Sequence, residues 1–388
     1  MSLSALLSIV SRVSNGSWRS TIAQGRLFGG MAGGVPRFQT FATANTAILQ
    51  ARGGLRRQHE APLAWCQQRA ATSSFSNPQR RKSPASSSAG HRKAISTGGG
   101  PVKAVAGPGE AGDGVTFTIS DDAARRNADP GSVAFVTGAN RGIGLEVTRQ
   151  LLAKSRGTVV AACREPSAAA DLHALGATAG NKDRLDVVKM DIEDQASVEA
   201  VAERVKIAYG RVDLLFNVAG VLGDGKNTPG PERSLRAMDR GWLRHTLEVN
   251  TIGPMMLVAA LAPLLESPAK KGAEGARPPS VVVNFSARVG SIGDNGMGGW
   301  HSYRMSKSAL NMATKGISLE LRRRRVWAFS YHPGTTDTGL SEPFQANVRP
   351  EKLFTPDYTV SQCLAIVDSM TEELSGGFFA FDGSRIVW

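Results

Sequence analysis

From about residue 130 onward, short apolar runs alternate with stretches whose apolar residues recur at helical spacing. The runs at Val133–Thr137, Thr158–Ala162, Asp186–Met190, Leu214–Asn217, Val281–Phe285, Trp327–Tyr331 and Phe378–Ala380 predict seven strands. Leu145–Lys154 and Ser306–Arg322 predict helices between them, the second with Ala309, Met312, Ala313 and Ile317 spaced for burial. Strands that are apolar throughout belong to sheets covered on both faces. The pattern therefore predicts an α/β fold, one doubly wound domain over residues 129–388 with a seven-stranded parallel sheet.

Residues 1–128 read differently, as a disordered basic targeting leader and linker. Fourteen Lys or Arg and a single acid, Glu60, fall within residues 1–109, which accounts for the whole net charge of +13. From Glu110 onward 32 basic and 32 acidic residues cancel. The charge thus belongs to the leader, and nucleic-acid binding by the domain is not expected. Leu3, Leu6, Leu7, Val10 and Val13 share one helical face, with Arg12 and Arg19 beside or beyond it, the pattern of a transit peptide. The expected location is an organelle matrix, mitochondrial or plastid, with cleavage between about Phe41 and Gly112. No uninterrupted apolar run suggests a secretory signal or a membrane span. Cys66, Cys163 and Cys363 are too few and too scattered for a disulfide framework or a Cys-rich metal site.

The first predicted strand runs into Thr137-Gly138-Ala139-Asn140-Arg141-Gly142-Ile143-Gly144, followed by a helical pattern. Glycines between a strand and a helix let the chain turn tightly and bring main-chain amides against a pyrophosphate, as in a Rossmann domain. Gly138, Asn140, Arg141, Gly142, Ile143 and Gly144 are therefore candidate dinucleotide contacts. Arg164 follows the second strand, where an acid would hold a ribose 2′-hydroxyl. With Arg141 it suits a 2′-phosphate, which favours NADP over NAD as cofactor.

Tyr303 and Lys307 are four apart in a helical pattern and so share a face. An ammonium beside a phenol lowers its pKa from about 10 toward neutrality, which suits a general acid for a carbonyl. Trp300 and His301 precede the pair and either line a pocket or pack.

These motifs together resemble the short-chain dehydrogenase/reductase family over about Ser132–Trp388. The resemblance implies that Tyr303 exchanges a proton with the substrate oxygen and that Lys307 also binds the nicotinamide ribose. It implies an adenine site at Asp191 and Ile192, and cofactor contacts from Asn217, Ala219 and Gly220. Val218 stands where the family has a second Asn. Asn250 matches the asparagine that holds the lysine and a relay water, or else it satisfies main-chain groups of a bent helix. Pro333, Gly334, Thr336 and Thr338 would close over the nicotinamide and pyrophosphate, with Gly339–Phe354 as substrate lid.

One member departs from the pattern. Aligning Gly290 with the family's glycine places Ala287 where a carbonyl-polarising serine belongs. Ser286 is one residue early and is the first candidate, with Ser291 second. The segments Ser286–Ser291, His332–Thr338, Lys352–Pro356 and Asp382–Trp388 further resemble C-factor-like and sniffer-like members. The implied function is an NADP-dependent oxidoreductase acting on a small-molecule carbonyl or alcohol, in a homo-oligomer. The alternative is a dinucleotide-binding sensor with little turnover.

Overall fold

The computed structural model describes residues 115–267 and 276–388. Residues 1–114 of the expected leader, and with them the expected transit helix, lie outside the described residues. All seven expected strands are present: β1 Val133–Thr137, β2 Thr158–Cys163, β3 Leu185–Lys189, β4 Leu214–Asn217, β5 Ser280–Phe285, β6 Val326–His332 and, at the end of the chain, β9 Phe378–Ala380. They form one parallel sheet in the order β3-β2-β1-β4-β5-β6-β9. From β1 the chain winds outward to β3, then returns to place β4 on the other side of β1. That reversal opens a crevice at the carboxyl ends of β1 and β4, where ligands of such sheets bind.

Helices cover both faces. α2 Gly142–Lys154, α3 Ala170–Ala177 and α8 Pro356–Asp368 pack Leu151, Leu172 and Val360 against Val136, Phe216, Val283 and Phe329. α4 Gln195–Tyr209, α6 Gly253–Leu265 and α7 His301–Glu320 pack Val201, Leu261 and Ile317 against Phe135, Leu215, Val282 and Ala328. Successive strand residues such as Val282 and Val283 thus enter opposite cores, as the pleat requires. Each fully buried Leu, Val or Phe contributes about 1.5–3 kcal/mol relative to exposure.

Two features differ from expectation. Residues 115–128, ahead of the boundary expected at residue 129, are attached to the domain: Val115 N–H donates to Gly383 O and Ser120 N–H to Asp368 O, both at 2.9 Å. The short helix α1, Asp121–Ala128, has no wide apolar stripe to announce it; Ser120 caps it, and Arg126 is buried 3.8 Å from Asp368. Second, α5 Arg240–Leu247 continues through a π-helical turn, Glu248–Ile252, into α6. The combined helix, 26 residues with a window of mean hydropathy 1.4, is long and apolar enough to cross a membrane. Here Leu257, Val258, Leu261 and Leu265 instead lie in the core under the sheet.

Candidate active site

The glycine loop forms as its residue types dictate. Gly138 and Gly142 have φ of +64° and +54°, a region that side chains other than glycine's rarely adopt. A Cβ on Gly144 would come 2.2 Å from Gly138 O, so the start of α2 can approach β1 only with glycine there. Asn140 and Ile143 are half-buried within the loop. Arg141 precedes α2 in extended conformation, exposed, and Arg164 is exposed beyond β2; among the described residues neither is paired with an acid. Thr137 joins this loop to the next, since its hydroxyl accepts from Val218 and Ala219 N–H at 3.0 and 3.1 Å. Asp191 accepts from Glu193 N–H at 3.1 Å, and Ile192 is buried beside Gly253.

Asn217 sits at the end of β4, but its side chain donates to Asn284 Oδ1 at 2.8 Å. Asn284 in turn donates to Thr314 Oγ1 of α7 at 2.8 Å. The carboxamide therefore ties strands to helix through its amide nitrogen. Ala219 and Gly220 follow at the crevice. A Cβ on Gly220 would come 3.1 Å from Asn250 Oδ1 and 3.7 Å from Lys307 Nζ, so only glycine leaves this wall open.

Asn250 lies within the π turn and is fully buried. Its side chain accepts from Val221 N–H at 2.8 Å and donates to Val221 O at 2.9 Å and Ser306 Oγ at 3.0 Å. It thus clamps the loop after β4 onto α7 beside Tyr303 and Lys307.

Tyr303 and Lys307 stand on one face of α7, with Nζ 5.6 Å from the centre of the phenol ring. Lys307 is 4% exposed and donates to Phe285 O at 2.8 Å. Burial pushes the Tyr303 phenol above its ordinary value and brings Lys307 down to about 8. The expected depression of the tyrosine is therefore absent in this arrangement. Helical spacing places the ammonium near the ring, but one of its three N–H donors is spent on Phe285 O, and desolvation by burial governs the phenol.

The serines occupy different places from the one expected. Ser286 Oγ donates to Asn311 Oδ1 at 2.7 Å, and the residue is buried against α7. Alternation explains this: Ser286 shares a face with Asn284, which also meets α7. Ser291 Oγ donates to Val387 O at 2.6 Å. Both hydroxyl protons are engaged inside the fold. Gly290 packs directly on the helix, since a Cβ there would come 2.7 Å from Lys307 Cβ.

After β6, Gly334 takes φ +72°. Thr335–Thr336 (β7) then pairs in parallel with Leu353–Phe354 (β8), a two-residue ladder too short to leave a periodic signal. Thr336 Oγ1 is 2.9 Å from Thr359 Oγ1 and buried, whereas Pro333 and Thr338 stay half-buried. A Cβ on Gly142 would touch the Thr338 side chain at 3.4 Å, so the turn after β6 reaches the glycine loop. The expected lid is pinned at both ends by β7 and β8 and carries two 3₁₀ turns, Glu342–Asn347 and Pro350–Lys352. Within it, Phe344 lies 5.3 Å from Trp300, and Trp300 lies 6.4 Å from Tyr303, ring centre to ring centre.

A parallel sheet whose reversal point carries a glycine loop on one side and a Tyr-Lys pair on the other defines a nicotinamide-dependent oxidoreductase domain. A family model for short chain dehydrogenases matches residues 132–349. The 1-hydroxy-2-glutathionyl-2-methyl-3-butene dehydrogenase of Rhodococcus sp. (strain AD45) is 33% identical over 258 residues, 66% of this chain and 100% of that protein. The C-signal of Myxococcus xanthus is 31% identical over 47% of this chain and 96% of its own length. Among solved structures, NADPH-bound carbonyl reductase from chicken fatty liver is 30% identical with a TM-score of 0.58, over 66% of this chain and 98% of that one. Carbonyl reductase Sniffer of D. melanogaster, 27% identical, also gives 0.58, over 67% and 100%. The chain belongs to the short-chain dehydrogenase/reductase family and is an NAD(P)-dependent enzyme of that family, with carbonyl-reductase and sniffer-like relatives.

Proposed function

We propose that the protein reduces a small-molecule aldehyde, ketone or quinone, or oxidises the corresponding alcohol, with NADP as cofactor and Tyr303 as general acid and base. The observation that carries this reading is the placement of Tyr303 and Lys307 on one face of α7, with Lys307 Nζ beside the Gly220 wall of the crevice.

The residues present fit the cofactor. Gly138, Asn140, Gly142, Ile143 and Gly144 leave main-chain amides and space for a pyrophosphate, and the exposed Arg141 and Arg164 suit a 2′-phosphate. Asp191 and Ile192 serve the adenine, while Ala219, Gly220, Pro333, Gly334, Thr336 and Thr338 border the nicotinamide end. When bound, the cofactor supplies or accepts the hydride.

Burial keeps the Tyr303 phenol protonated at neutral pH, the state a donor to a carbonyl oxygen needs. The tyrosine gives that proton to the substrate oxygen and is reprotonated along Lys307 and the π turn at Asn250. A π turn leaves a main-chain carbonyl without its helical partner, which suits it to hold a relay water. Because the Ser286 and Ser291 protons are engaged elsewhere, Tyr303 carries most of the polarisation of the oxygen. Ser286 acts instead through Asn311 on the alignment of α7.

The exposed Met255 and Met256 on α6, with Met305 and Met312 on α7, accord with a homo-oligomer joined through these helices. Light scattering that finds only monomer would remove that part. Import into a mitochondrion or plastid remains part of the proposal, and imaging a fusion of residues 1–114 to a fluorescent protein tests it.

A second reading, a dinucleotide-binding signalling protein, is favoured by the one observation that the hydroxyls of both candidate serines, Ser286 and Ser291, donate inside the fold. Consumption of NADPH and of NADH with a panel of aldehydes, ketones and quinones separates the two. The enzyme reading predicts turnover with NADPH. Cofactor binding without consumption on any substrate would establish the other.

A further inference from the structure

Glu232 belongs to the loop between β4 and α5, yet only 3% of it reaches solvent. Its oxygens serve the start of α7. Trp300 N–H donates to the Glu232 main-chain oxygen at 2.5 Å, and Ser302 N–H donates to Oε2 at 3.0 Å. The Ser302 hydroxyl donates to Oε1. Ser302 is itself fully buried.

The helix has no cap of its own. Trp300 occupies the cap position with φ 52° and ψ 39°, a left-handed conformation costly for a bulky aromatic, and its side chain makes no capping bond. Such a conformation persists where its surroundings hold it, and here the holder is Glu232. A carboxylate at this point also meets the positive end of the helix dipole and satisfies two buried donors at once. Without it, the Ser302 N–H and hydroxyl would be buried and unpaired.

Glu232 is in turn held by what precedes it. Gly230 has φ +72°, and a Cβ there would come 2.2 Å from Trp242 Nε1 of α5, so this loop seats tightly on that helix. Upstream, the same loop is clamped by Asn250 at Val221. The first turn of α7 carries Tyr303, and the conformation imposed on Trp300 sets its indole between Tyr303 and Phe344. Arg304, from the same turn, donates to Gly298 and Gly299 O at 3.2 and 3.0 Å and fixes the approach to the helix.

We propose that Glu232 is a positioning residue for the reaction: its carboxylate caps the catalytic helix from another loop, aligns Tyr303 and sets Trp300 as the aromatic wall of the substrate pocket. This inference rests on the reading of Tyr303 as the proton donor.

The test uses the full chain and compares kcat and KM for NADPH-dependent carbonyl reduction, cofactor Kd by NADPH fluorescence, and thermal unfolding. For Glu232→Ala, measured well below its unfolding temperature, kcat should fall by on the order of 10- to 100-fold, because small misplacements of a reacting group cost that much. Cofactor Kd should stay within about twofold, since the glycine loop is untouched. Glu232→Gln keeps an acceptor for Ser302 N–H and can face the Ser302 hydroxyl with its amide, so it should retain kcat within about threefold of wild type. Should the alanine variant not fold, Glu232→Asp decides on the same readout, since it keeps the charge but withdraws it by one methylene. Unchanged kcat in the deciding variant, even with a lowered unfolding temperature, would overturn the positioning role. So would a Gln variant as impaired as the Ala variant. Tyr303→Phe in the same assay separates the two levels: if it turns over like wild type, the proton-donor reading itself fails. If it is inactive while the deciding Glu232 variant is unaffected, only the positioning inference fails.

Discussion

Lys307 donates to the main-chain oxygen of Phe285 at 2.8 Å, which fastens α7 to the end of β5. The bond enters a buried setting, and burial lowers Lys307 from its ordinary value of 10.5 to about 8. Below about pH 8 the side chain is an ammonium, and above it the charge is lost. For carbonyl reduction, kcat should therefore hold from neutrality to about pH 8 and decline beyond it. Stability moves the other way: the unfolded chain binds the proton more tightly, so unfolding free energy rises as pH goes from about 8 toward 10.5. Steady-state kinetics and denaturation across that range check both signs. A kcat that stays flat to pH 10.5 would remove the role given to the Lys307 charge.

The Ser286 hydroxyl donates its hydrogen bond to Asn311 Oδ1 and not into the crevice. Ser286→Ala should lower turnover by less than about threefold, while costing about 1–3 kcal/mol of stability by leaving Asn311 Oδ1 unpaired. A loss of about a hundredfold in kcat, at unchanged cofactor affinity, would put Ser286 on the substrate oxygen after all.

Arg164 is exposed beyond β2, with no acid paired to it among the described residues. If it meets a 2′-phosphate, Arg164→Ala removes a charge-assisted bond of about 1.5–3 kcal/mol, or about 10- to 150-fold in affinity. The expected outcome is a KM that rises by about that factor for NADPH and little for NADH. Equal changes for both would locate Arg164 away from the phosphate.

Much of this architecture is legible in the sequence, for a physical reason. Continuous runs such as Val133–Thr137 and Val281–Phe285 read as strands because a parallel sheet buries both faces, and the glycines at 138, 142 and 144 stand where no side chain fits. What could not be read depends on long-range contacts. Helix α1 has a polar sequence and is held by Ser120, Asp368 and the C-terminal region, so its attachment ahead of residue 129 has no local sign. Thr137 and Glu232 act through partners far along the chain, 81 residues in the case of Thr137 and Val218. The only local sign of Glu232 is the Gly-Gly-Trp before α7, which announces a turn but not its holder. Likewise, spacing places Lys307 on the face of Tyr303 but leaves open that its proton points to Phe285.

The most direct test of the account is the rate of NADPH-dependent carbonyl reduction by Tyr303→Phe, with cofactor affinity measured by NADPH fluorescence on the same protein. The substitution removes one hydroxyl and leaves the ring between Trp300 and Lys307. The account predicts a fall in kcat of about 10²- to 10⁴-fold with cofactor affinity retained. Turnover equal to wild type would contradict it, because the proton would then come from another group.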